Sequence, residues 1–79
     1  MGILADILDA VAGGAREERA WRAEHPQAHA ANLRARAAAM RARSVRWTDR
    51  GRRGLARAAE NRAAVLDAKA EIWERRSCP

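Results

Sequence analysis

Phenylalanine and tyrosine are missing from this 79-residue chain, and its single cysteine, Cys78, stands next to the last residue. One cysteine makes no internal disulfide and no cysteine-based metal cluster, so Cys78 reads as a reduced tail residue. Large apolar side chains are scarce too. Leu, Ile and Val number eleven, joined by Met40, Trp21, Trp47 and Trp73. Leu, Ile, Val and Phe together fall below the roughly 20% at which a charged chain starts to read as disordered. A chain this short makes one small domain. Its thin apolar stock predicts a fold completed by oligomerisation or by a partner.

No apolar run approaches membrane-spanning length, and the polar face of residues 1–12 is acidic where helices that lie on anionic lipid carry Lys or Arg, so membrane association is not expected. The start, Met1-Gly-Ile-Leu-Ala-Asp-Ile-Leu, lacks a basic segment and holds Asp6, so it does not read as a signal peptide. Aspartate at position 6 also argues against myristoylation. The expected location is the cytoplasm, or a particle assembled there.

Catalytic patterns are absent as well. The sequence has no Walker loop, no glycine-rich dinucleotide turn, no serine elbow and no aspartate cluster. His25 and His29 stand four apart, but Pro26 between them puts His25 outside the helix, whereas a metal pair needs both on one face. The expectation is a protein that is not an enzyme, with no cofactor and no metal site.

Alanine and arginine fill almost half of the chain, while Lys69 is the only lysine. Both residues have GC-rich codons, which suits a GC-rich bacterial or phage genome. Charge is distributed unevenly. Between Leu33 and Arg57 stand nine arginines and one acid, Asp49. A block of one sign implies an anionic partner or neighbouring acidic helices.

The pattern predicts an all-α protein of one small domain. Residues 1–24 form an amphipathic arm and charged segment, and residues 25–79 a helical hairpin, or else the three helices take an open arrangement. A first helix is expected over Ile3 to Ala12, where Ile3, Leu4, Ile7, Leu8 and Val11 share one half of the wheel and Asp6 and Asp9 oppose them. Gly13-Gly14 should interrupt it before Ala15 to Glu24 resumes, with Glu18 able to pair with Arg22. His25-Pro26 marks a boundary, because the residue before proline is pushed out of the α region and proline suits a first helical turn.

The second helix should run from Pro26 to Val45 or slightly beyond. Its seam is Ala30, Leu33, Ala37, Met40, Ser44 and Trp47. An alanine-rich back face through Ala31, Ala35 and Ala38 invites a second neighbour. Trp47 to Gly54 should connect, with Thr48 as an N-cap. The third helix should reach Arg76 with two seams, one through Ala58, Val65 and Ile72 and one through Leu55, Ala59, Leu66 and Trp73. Two seams imply two packing partners.

Two candidate surfaces follow. Ile3, Leu4, Ile7, Leu8 and Val11, with Val65, Ile72 and Trp73, are the expected protein-binding residues, since anchors at i, i+3/4 and i+7 suit docking of a helix in a groove. Arg46, Trp47, Arg50, Arg52 and Arg53 are the candidate nucleic-acid residues: arginines neutralise phosphates, and tryptophan stacks on an unpaired base. The expected function is protein–protein association, as a small subunit or adaptor of a larger complex, such as a phage particle component or a host-factor inhibitor. The alternative is a basic nucleic-acid-associated protein.

Overall fold

In the computed structural model of the chain, residues 2–77 are described, and among them the fold is all α. Three helices follow one another: α1 over Ile3–Glu24, α2 over Pro26–Asp49 and α3 over Arg53–Ser77. Cys78 lies outside the described residues. The second and third helices form an antiparallel hairpin, and α1 is the N-terminal arm, whose backbone comes close to that of α2 and not to that of α3.

The expected break at Gly13-Gly14 does not occur. α1 runs straight through both glycines. A glycine in mid-helix costs only about 0.5–1 kcal/mol against alanine, too little to stop a helix already 22 residues long. Asp6 in the first turn and Arg22 in the last suit the helix dipole.

The chain turns at His25, where φ is −128° and ψ is 59°. The His25 N–H donates to the Trp21 carbonyl at 2.8 Å, and its ring stacks on Trp21 with centroids 5.0 Å apart. Pro26 has no N–H to lose as the first residue of α2. α1 therefore leaves the hairpin at a one-residue corner. The radius of gyration is 17.0 Å, where a compact domain of this length would have about 12 Å. The chain extends 49 × 44 × 13 Å, so its thinnest dimension is little more than one helix.

The second connection is also shorter than expected. α2 continues to Asp49, so Thr48 is not an N-cap; its hydroxyl donates back to the Ser44 carbonyl at 2.9 Å. Arg50 to Arg52 make the whole turn. Gly51 takes φ +75°, a left-handed value that glycine adopts without penalty. The Arg52 N–H reaches the Trp47 carbonyl at 2.8 Å and the Gly51 N–H reaches Thr48 at 2.9 Å, which satisfies the carbonyls at the end of α2.

The hairpin core is mostly alanine. Ala30, Leu33 and Ala37 of α2 pack against Ala63, Leu66 and Ala70 of α3, with Met40 and Trp73 half-buried at the margin. Ser44, Ala56 and Ala59 are also buried, toward the turn. The seam of α2 is the expected one, stepping by three and four as in a coiled coil. That of α3 is so only in part. It runs through Ala56, Ala59, Ala63, Leu66, Ala70 and Trp73: Ala59, Leu66 and Trp73 belong to the second expected seam, but Leu55 of that seam is exposed, and Ala56, Ala63 and Ala70 pack in place of the other expected one. Val65 and Ile72 stand outside it, about half exposed. The back-face alanines Ala31, Ala35 and Ala38 are exposed, so within the chain each long helix of the hairpin has one main packing face.

Candidate functional site

The two sides of the α2–α3 seam differ in charge. On one side Arg34 and Arg41 of α2 face Asp67 and Glu74 of α3. Arg34 bonds both Asp67, at 3.2 Å, and Glu74, while Arg41 bonds the second oxygen of Asp67. The Arg41 guanidinium, helped by that of Arg34, holds the Asp67 carboxyl below its ordinary range. The hydrogen bond from Arg34 to Glu74 raises the Arg34 pKa above its ordinary value. Two of the five arginines of α2, Arg34 and Arg41, are thus neutralised inside the chain by the acids of α3.

The other side is basic on both helices. One residue before seam alanines or Ser44 stand His29, Arg36 and Arg43 on α2 and Arg62 and Lys69 on α3, and the same seven-residue step reaches Arg50 in the turn and Arg76 near the end of α3. Antiparallel packing brings them to the same side of the hairpin. Arg36, Arg62, Lys69 and Arg76 line one open cleft with His29, and Arg22 enters it from α1. Among the described residues no carboxylate lines this cleft.

Glu18 stands close by, on α1, where Arg22 binds it and lowers its pKa. The His29 ring packs edge-on against Trp73 with centroids 4.9 Å apart. Burial lowers the pKa of His29, Arg22 and Arg36 lower it further, and Glu18 works the other way. The Arg76 guanidinium lies 4.7 Å from the Trp73 ring centroid, a cation–π contact that holds it at the rim.

Nearer the turn, Arg43, Arg46, Trp47 and Arg50 line a smaller recess. Trp47 is half-buried, with the Arg50 guanidinium 5.7 Å from its ring centroid. Arg52 and Arg53 are exposed in the turn and at the start of α3, apart from this recess.

On α1, Ile3, Leu4, Ile7, Leu8 and Val11 are all more than half exposed. They share one helical face, and nothing among the described residues covers it. No family model, curated protein or solved structure matches this chain. The surfaces themselves are therefore the ground for a functional reading.

The sequence-predicted residues fall into separate places. The five apolar residues of α1 form one strip. Val65 and Ile72 lie on the outer surface of α3, on the basic side of the seam, and Ile72 also lines the large cleft. Trp73 is turned into the hairpin, against His29 and Arg76. Of the basic set, Arg46, Trp47 and Arg50 come together, while Arg52 and Arg53 do not join them. The cleft of Arg22, His29, Arg36, Arg62, Lys69 and Arg76 was not anticipated. Its signal is present in the sequence: Arg36, Arg43 and Arg50 repeat at sevens, and so do Arg62, Lys69 and Arg76.

No group of three or more metal-ligating side chains is found among the described residues. No helix among them is long and apolar enough to cross a membrane.

Proposed function

We propose that the protein is a non-enzymatic association module, in which the hairpin is the rigid body and α1 the docking arm. The supporting observation is the uncovered apolar strip of α1. Covering five such side chains is worth roughly 8–15 kcal/mol gross. Association costs a sum of the same order, so the surplus corresponds to moderate affinity. A second copy is the simplest occupant, because two identical strips are self-complementary about a twofold axis. A module of this kind serves as a small subunit or adaptor of a larger assembly.

Light scattering across a concentration series tests the reading. The wild-type chain should reach dimer mass at about 100 µM, where micromolar affinity is saturated. Ile7→Asp should remain monomeric with nearly unchanged helix content. A wild-type chain that stays monomeric throughout the series rejects self-association.

A further inference from the structure

The acid-free side of the hairpin is a second surface, independent of α1. Like charges flanking a helix–helix seam repel, and coiled coils ordinarily place opposite charges there. This chain does so on one side, with Arg34 and Arg41 against Asp67 and Glu74. On the other side Arg36 lines the same cleft as Arg62 and Lys69, with no carboxylate among the lining residues. Glu18 of α1, bound to Arg22, offsets part of this charge but does not line the cleft, and an external anion would relieve the rest.

A second observation points the same way. Arg22 reaches into the cleft, and its Nε is buried with no acceptor, although its terminal nitrogen holds Glu18. A buried donor without an acceptor costs about 1–3 kcal/mol, and a shift of the Arg22 side chain that opens its Nε to the cleft would let an oxyanion there accept from it.

The geometry points to a track for the phosphate backbone of a nucleic acid along this face. The heptad repeats carry it from Arg76 and Arg22 at the open end, past Arg36 and Arg62, to Arg43 and Arg46 near the turn. At 1.5 Å per helical residue the track is on the order of 30 Å long, which suits an extended polyanion rather than a single small ion. Arginine forks match phosphate oxygens. Asn32 is the one amide side chain on this flank, so little base reading is expected, and binding should be nearly independent of sequence.

The test is fluorescence anisotropy of the full chain with a labelled 20-nucleotide single strand and the matching duplex, over a salt series. Binding at 50 mM salt should weaken with a log–log slope of about −4 for the single strand, as expected for about six phosphate contacts. Arg62→Glu with Lys69→Glu should weaken binding at least tenfold at 100 mM salt. The same pair places acids opposite Arg36 and Arg43, so thermal stability should hold or rise, separating lost binding from lost fold.

Arg52→Glu with Arg53→Glu makes the same charge change off the track and should cost less than threefold. Absence of binding to either oligonucleotide at 50 mM salt overturns the proposal. So does an equal loss from the Arg52/Arg53 pair, which would reduce the effect to net charge. Equal affinity for poly-glutamate also overturns it and makes the partner an acidic protein surface.

Discussion

Leu66→Ala removes three carbons from the largest side chain that is fully buried, 1% exposed in the middle of the hairpin. At about 0.8 kcal/mol per buried methylene the transfer loss is roughly 2.4 kcal/mol, and incomplete collapse around the gap brings it to about 2.5–4 kcal/mol. Val65→Ala, one position earlier, removes two carbons from a side chain 45% exposed. Its loss is below about 1 kcal/mol, and alanine's better helix propensity offsets part of that. A chain of this size has a total stability of about 4–12 kcal/mol, so the first change removes a large share and the second almost none. Urea melts followed by circular dichroism, at low micromolar protein, read the difference directly. With a slope near 1 kcal/mol/M, Leu66→Ala should lower the midpoint by about 2–4 M and Val65→Ala by less than about 1 M. If Val65→Ala lowers the midpoint as far as Leu66→Ala, the alanine seam of α3 is misassigned and the stripe through Val65 and Ile72 is the packed one.

Further outcomes concern turns, the arm and pH. Gly51→Ala, at φ +75°, should destabilise the hairpin by about 1 kcal/mol, while Gly54→Ala, with open space around it in α3, should be neutral or stabilising; equal effects in thermal melts would contradict the left-handed turn. Gly13→Ala with Gly14→Ala meets nothing within 4 Å and should raise far-ultraviolet helix signal, gaining about 0.5–1 kcal/mol per site; a loss of signal would mean the glycines are needed. Acid should weaken the fold in two stages. His29 has a lowered native pKa, so protonation favours the unfolded chain once pH falls below 6.5, its ordinary value. Asp67 also has a lowered native pKa, so its contribution is present above the ordinary value of 3.8 and is lost as pH falls through that value toward the native one. His29→Gln should remove the first stage and Asp67→Asn the second. A melting temperature that stays level from pH 7.5 to pH 5 would exclude the His29 effect.

The helical class, the His25-Pro26 corner and the seam of α2 were all legible in the sequence, because proline chemistry and the Leu33-centred spacing each carry a local signal. The seam of α3 was legible only through Ala59, Leu66 and Trp73. Large residues such as Val65 and Ile72 dominate a hydrophobic pattern, yet the chain packs Ala56, Ala63 and Ala70 inward. Alanine seams give up little transfer energy per residue but let helices approach with almost no side-chain entropy to lose. Pattern reading weighted by side-chain size passes over them.

The helix of the α1 strip was legible, but its continuity through Gly13 depends on flanking helix that a local breaker signal ignores. The basic cleft escaped for another reason. It joins residues from all three helices, and its members were read as flanks of separate seams. Which side of the hairpin each flank occupies depends on the register between α2 and α3, and that is fixed by the turn at Gly51.

The brevity of that turn also orders events in time. Ser44 and Ala56 stand nearest to it, so they close the smallest loop and meet first. Each later contact along the seam, Ala37 with Ala63 and then Ala30 with Ala70, adds little further loop entropy once the previous one is made. Such nested, largely local closure favours rapid folding. During synthesis, however, α1 and α2 emerge complete while the alanine face of α2 still has no partner. Only when the ribosome has released Ala63 to Ala70 can the zipper run to its open end, and the basic face is assembled in that same final step.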